Sequence, residues 1–259
     1  MNIQQSFILG IVQGVTEFFP VSSSAHLVFL QHYFGFKEAP ILFDCLLHFS
    51  TLLATIVFFW KKIEKIIFFT AEGKNLIKLI FLASLPTAFI GLLFRKIFEQ
   101  TFNSVTYPAF FLLVTGSLLW VANKKVNLRK EKNSPRIIVG SVLIVGMVQG
   151  FALLPGISRS GSTIATGVIL GWSPTFSAEF SFLLSLPAIA GVTLIKLLKV
   201  EFSSLVKEFF IYLPGMFFSF IFGLLSLRLF WQSLLKYRWK TFSYYCWSLG
   251  LAVLILQLL

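Results

Sequence analysis

The chain has 259 residues, 57% of them apolar and only 12% charged, with a mean hydropathy of +0.86. Those proportions exclude a soluble globular domain, whose charged share is about a quarter, and make lipid the solvent. The net charge of +12 does not mark a nucleic-acid binder, because the Lys and Arg residues sit in short connections between apolar segments, where they set topology and meet anionic head groups.

The first apolar stretch, Ile3 to Phe19, contains Gln4, Gln5 and Glu17 and ends at Pro20. It lacks the basic, apolar, small-residue layout of a cleaved signal peptide and is expected to stay in the mature protein. A serine turn, Ser22 to Ser24, leads into an arm ending at Phe36. An arm of about 13 residues makes roughly 20 Å of helix against a hydrocarbon core of about 30 Å, which predicts a re-entrant helical hairpin rather than two crossings. Three stretches long enough to span then follow, Leu42 to Trp60, Leu76 to Phe94 and Val105 to Val121.

The connection over 124–136 is the most basic in the chain, with Lys124, Lys125, Arg129, Lys130, Lys132 and Arg136, and is expected to be cytoplasmic. With it inside, fifteen Lys and Arg residues fall inside and six outside, leaving Arg159 apart; both termini are then on the outer face. Beyond it the plan repeats. Ile137 to Leu154 runs into Pro155, a serine turn and a short arm, Thr163 to Trp172, before the spans Phe176 to Leu198, Phe209 to Phe230 and Phe242 to Leu259.

Two matches in register support the repeat: Gly10, Gln13 and Gly14 against Gly146, Gln149 and Gly150, and His48-Phe-Ser-Thr-Leu-Leu53 against Glu179-Phe-Ser-Phe-Leu-Leu184. Three crossings per half turn the second half upside down. The expected fold class is an all-α membrane protein with six transmembrane helices plus two re-entrant helical hairpins arranged as an inverted-topology repeat. Residues 1–123 form the first repeat, 124–136 the linker and 137–259 the second repeat, and the two hairpin tips can meet near the midplane. Cys45 and Cys246 fall in spans without metal-ligand spacing and read as core residues.

Ionisable groups inside apolar segments are expensive and face polar interiors; here they are Glu17, His26, Asp44, His48, Arg159 and Glu179. Ser158, Arg159, Ser160, Gly161 and Thr163 bring hydroxyls, glycine-freed N–H groups and a guanidinium to a helix start, which makes an anion site. The same serines would also serve as a helix cap, with Arg159 reaching to the surface. Gln13 and Glu17, four residues apart, share one helix face and could share a cation, or Glu17 could bond the free amides near the hairpin turn. Ser23 and His26 are spaced for a nucleophile and a base in phosphoryl transfer, although a triple serine is also a common cap. Asp44, His48 and Glu179 lie on the following spans and are expected to support the tips, the alternative being polar links between helices. His32 reads as interfacial.

These residues resemble the bacterial undecaprenyl-diphosphate phosphatase family, the integral membrane type linked to bacitracin resistance. The likeness covers essentially the full length and rests on Gln13-Gly-Val-Thr-Glu17, the Pro20-Val-Ser22-Ser23 segment and Pro155-Gly-Ile-Ser158-Arg159-Ser160. The resemblance implies a hydrolase of the bacterial plasma membrane that removes the terminal phosphate of undecaprenyl diphosphate, recycling the carrier for peptidoglycan and cell wall synthesis, with Mg²⁺ or Ca²⁺ assisting and the site open to the outer face. It implies Glu17, Ser23, His26 and Arg159 as catalytic residues, with Ser22, Ser158, Arg159, Ser160, Gly161 and Thr163 on the phosphates and Glu17 with Gln13 on the metal. Gln13 departs from the two-carboxylate form of the acidic motif, which weakens a metal held by two acids. Attack by Ser23 with His26 as base, attack by His26, and activation of water by His26 all stay open. The expected partners are the lipid substrate and membrane lipids, not nucleic acid, and a homodimer is compatible with the sequence. The rival reading is a transporter or flippase of a phosphorylated polyprenyl lipid.

Overall fold

A computed structural model describes residues 1–128, 137–200, 202–235 and 239–258. Among these residues the regular structure is entirely helical: α1 (Ile3–Phe18), α2 (Ser23–Tyr33), α3 (Ile41–Phe58), α4 (Trp60–Ile67), α5 (Ala71–Leu93), α6 (Arg95–Thr101), α7 (Thr106–Leu128), α8 (Val139–Phe151), α9 (Arg159–Ile169), α10 (Pro174–Leu197), α11 (Phe202–Leu235) and α12 (Trp239–Leu256). Lys124 and Lys125 lie near the end of α7, and the rest of the basic linker, including Arg129, Lys130, Lys132 and Arg136, lies outside the described residues.

Among the described residues five helices are long and apolar enough to cross a membrane: Ile41–Phe58, Ala71–Leu93, Thr106–Lys125, Pro174–Leu197 and Glu208–Leu234. The sixth expected span is the 18-residue helix α12. Its first ten residues include Lys240, Thr241, Ser243, Tyr244, Tyr245 and Ser248, which dilute its apolar character below that of the five. On α5 the side chains of Phe81, Phe89 and Leu92 are 62%, 67% and 68% exposed, a face that water penalises and acyl chains accommodate.

Local chemistry sets the hairpin helices. Asn2 and Gln5 cap the start of α1 reciprocally. Its end is fixed by Pro20, which pushes Phe19 into the extended region at φ −70°, ψ 144°. Helices α2 and α9 start at Ser23 and Arg159, earlier than the arms expected at Ser24 and Thr163, because Ser22 and Ser158 cap them. The Ser22 hydroxyl accepts the Ala25 N–H at 3.4 Å and the Ser158 hydroxyl accepts that of Gly161 at 3.0 Å. Each helix is only 11 residues long.

Helix α1 packs on α11, α8 on α5 and α7 on α12, while α3 lies against both α10 and α11. Lipid offers no hydrophobic drive between helices, so close backbone approach through small residues carries this packing. The two glycines matched in the repeat do the same job in each half. A Cβ on Gly10 would stand 2.2 Å from the Gly215 carbonyl oxygen of α11, and one on Gly146 2.1 Å from the Ala83 carbonyl oxygen of α5. Beside Glu17, the fully buried Phe18 meets Phe182 edge to face at 5.5 Å, and Phe182 meets Phe230 at 5.6 Å. This aromatic cluster anchors the end of α1.

Candidate active site

Glu17 is the centre of a buried polar cluster. Its Oε1 lies 2.5 Å from Arg159 Nη2, joining the end of α1 to the start of α9. Its Oε2 accepts from Ser23 Oγ at 2.6 Å and Gln13 Nε2 at 3.0 Å, and stands 3.1 Å from His48 Nδ1. The carboxylate is 4% exposed and the guanidinium side chain 15%. A buried carboxylate without partners is prohibitive, and here donors from α1, α2, α3 and α9 surround it.

The tips that deliver these groups are bonded to each other. Ser22 takes φ 63°, ψ 88°, a costly conformation for a residue with a Cβ, and its hydroxyl accepts the Gly156 N–H from the second tip at 3.1 Å. Gly156 has φ +100°, and a Cβ there would lie 2.3 Å from the Pro108 carbonyl oxygen. Thr115 of α7 fastens the second tip on both sides, donating to the Gly156 carbonyl at 2.9 Å and accepting from the Ser158 N–H at 3.0 Å.

The phosphate-binding candidates converge on the α9 start. Ser158 Oγ and Ser160 Oγ are 3.3 Å apart, and Ser160 Oγ reaches the carbonyls of Glu17 and Phe19 at 3.4 Å each. Gly161 lets α9 approach the first tip, since a Cβ there would lie 3.0 Å from Pro20 Cβ. Thr163 bonds back to the Arg159 carbonyl at 2.7 Å and meets Ser181 Oγ at 2.6 Å. Arg159 Nη1 donates to the Ser181 carbonyl at 3.4 Å. The Arg159 and Ser160 N–H groups have no acceptor among the described residues, which leaves two free donors at the positive end of α9.

Four of the candidates meet partners other than those the sequence suggests. Ser23 donates to Glu17 rather than pairing with His26, because the turn at Ser22 aims His26 Nδ1 at the Ser22 carbonyl, 2.8 Å away, and its Nε2 at Tyr245 Oη, 2.7 Å away. Glu179 is apart from the cluster and pairs with Lys62 of α4 at 2.9 Å. In the repeat its counterpart His48 meets Glu17, but the position matching Glu17 is Leu153, which offers no polar partner. His48 touches the carboxylate itself, one helical turn from Asp44, whose Oδ1 accepts from Gln31 Nε2 at 2.7 Å.

Sequence reasoning missed Thr115, Ser181 and Tyr245. A hydroxyl within a span signalled Thr115, and the matched segments around His48 and Glu179 contained Ser181; no motif marked Tyr245. For a divalent cation, the telling atom is Gln13 Oε1, which is buried without a hydrogen-bond partner beside Glu17. Gln13 presents Nε2, not Oε1, to Glu17, so the two residues would offer an oxygen pair to Mg²⁺ or Ca²⁺ only with the amide turned over and phosphate oxygens completing the shell. Among the described residues no group of three His, Cys, Asp or Glu side chains is arranged to hold a metal alone.

Comparison with known proteins matches residues 6–252 to the family model described as Bacitracin resistance protein BacA. The undecaprenyl-diphosphatase of Halothermothrix orenii is 44% identical over 197 residues, covering 76% of this chain and 75% of that protein. The protein of the same name from Carboxydothermus hydrogenoformans is 43% identical over 197 residues, 76% and 74% of the two chains. That from Methanobrevibacter smithii is 38% identical over 216 residues, 76% and 77%. A match over nearly the whole length, on a helical membrane-spanning framework that gathers Glu17, Ser23 and Arg159, shows that the chain belongs to the BacA family.

Proposed function

We propose that this chain hydrolyses undecaprenyl diphosphate to undecaprenyl phosphate and inorganic phosphate at the junction of its two hairpin tips. The observation that carries this reading is the meeting of Glu17 and Arg159, a carboxylate and a guanidinium from different tips, in a buried site of a membrane protein. Relatives named undecaprenyl-diphosphatase support the substrate.

The finer architecture is an inverted repeat of 1–123 and 137–259, each a re-entrant hairpin followed by three spans, with α12 the sixth. Its support is the exchange of contacts between halves. The first hairpin helix packs on the middle span of the second half, and the second hairpin helix on the middle span of the first. Both middle spans also carry an internal proline, Pro86 and Pro214. The excess of Lys and Arg in the expected inner connections supports an orientation with both termini, and the opening of the site, on the outer face of the plasma membrane.

In this reading Arg159, the Arg159 and Ser160 N–H groups and the nearby hydroxyls hold the diphosphate, and donors fixed in a dry site stabilise the charge that develops as the bond breaks. Ser23 Oγ attacks the terminal phosphorus, its proton passes to Glu17, and the lipid monophosphate leaves with the electrons of the broken P–O bond. Water then attacks the phosphoserine, the serine oxygen takes a proton from it as inorganic phosphate leaves, and Glu17 gives up its proton to water, which restores the site. The 2.6 Å contact supports Glu17 as the proton acceptor in place of His26. Gln13 Oε1 and Glu17 would hold the divalent cation, which supplies charge neutralisation on the phosphates when bound.

The test is phosphate release by the purified chain in detergent with undecaprenyl diphosphate. Inorganic phosphate and lipid monophosphate in equal amounts support hydrolysis. Binding or transbilayer movement of the lipid with no bond cleavage would favour a transporter and overturn the proposal.

A further inference from the structure

Both nitrogens of His26 are occupied. Nδ1 lies 2.8 Å from the Ser22 carbonyl oxygen, and a carbonyl only accepts, so Nδ1 carries the proton. In the neutral ring Nε2 is then bare. Tyr245 Oη stands 2.7 Å from it, with the two ring planes within 4° of parallel, so the phenol donates and Nε2 accepts. Tyr245 comes from α12, 219 residues away in sequence.

The other end of this arrangement is the first tip. The unusual Ser22 backbone turns its carbonyl to His26 while its hydroxyl takes the Gly156 N–H of the second tip. A continuous line of hydrogen bonds therefore runs from the second tip through Ser22 and His26 to α12. An imidazole bonded at Nδ1 alone swings about its Cβ–Cγ bond; one bonded at both nitrogens is fixed in position and in tautomer.

We infer that Tyr245 is a positioning residue for the hydrolysis, acting through His26: its hydroxyl holds the imidazole whose Nδ1–H fastens the Ser22 carbonyl, and so steadies the turn that aims Ser23 at Glu17. The role rests on the hydrolytic reading above. The phenol itself touches neither Glu17 nor Arg159, and its effect passes entirely through the imidazole.

The test compares kcat and KM for phosphate release from undecaprenyl diphosphate in wild type, Tyr245→Phe, His26→Asn and the double variant. Phe keeps the ring and its packing. Loss of one hydrogen bond worth about 1 kcal/mol predicts a roughly fivefold fall in kcat for Tyr245→Phe, with KM changed less than about twofold. In the His26→Asn background the same substitution should change kcat by less than about twofold, because its only route of action is gone. The chain has three histidines, so ¹⁵N spectra of labelled histidine give a second readout. Nδ1 of His26 should be protonated in wild type, and its Nε2 resonance should move in Tyr245→Phe. Wild-type kcat in Tyr245→Phe, or an equal fractional loss in both backgrounds, would overturn the role. A wild-type chain that releases no phosphate removes hydrolysis and the Tyr245 role together; an active wild type with an indifferent Tyr245→Phe removes only the latter.

Discussion

Glu17 Oε1 and Arg159 Nη2 stand 2.5 Å apart although 142 residues separate them along the chain. Burying such a pair costs desolvation that a hydrophobic pair of the same volume avoids, so stability alone is a poor reason to keep it. Its use is to hold a guanidinium ready in a dry site. In the proposed mechanism an arriving diphosphate would compete with the carboxylate for Arg159 and leave Glu17 free to take the Ser23 proton.

Ser23→Ala should lower kcat by about a hundredfold or more, as expected for loss of a nucleophile. Acid quench of turning-over wild type followed by mass spectrometry should find phosphate on Ser23. A loss of only a few fold with no phosphoserine would leave Ser23 as a hydrogen-bond donor to Glu17 and nothing more.

Chelation of divalent cations should suppress phosphate release, and added Mg²⁺ or Ca²⁺ should restore it. Gln13→Glu replaces an amide whose oxygen has no partner with a second carboxylate, and the half-saturating cation concentration should fall about tenfold, equivalent to about 1.4 kcal/mol. Full activity after chelation would remove the cation from the account.

Gly156→Ala should be damaging on two grounds. Its φ of +100° strains any side chain, at about 1 to 3 kcal/mol, and the new Cβ would meet the Pro108 carbonyl at 2.3 Å. Melting temperature and phosphate release should both fall, because Ser158 and Arg159 lie two and three residues farther along the chain. Gly140→Ala, with open space around the added Cβ, is the control and should melt at or slightly above the wild-type temperature. Equal melting of Gly156→Ala and wild type would contradict the described tip.

The sequence carried more of the site than its spacing alone suggests. Gln13 and Glu17 were legible as a helix face, and Pro20 and Pro155 as hairpin ends, because 3.6-residue periodicity and proline sterics act locally. The neighbours of Glu17 across the tips were not legible to the same depth. The turn at Ser22 sends Ser23 to the carboxylate and His26 away from it, and a left-handed serine has no signature in sequence. Glu179 pairs with Lys62 rather than reaching the tips, because the residue matching Glu17 in the repeat is Leu153, which has no polar group to meet it. Tyr245 reaches His26 from the far end of the chain, a contact that only helix packing specifies.

The most direct measurement is the rate of inorganic phosphate release from undecaprenyl diphosphate by wild type, Arg159→Ala, Glu17→Gln and the double variant, each purified and shown to be helical. Each single change should cost at least about a hundredfold in kcat/KM, and the double variant should be little worse than either, since the two residues act as one unit. Wild-type rates in Arg159→Ala would contradict the account.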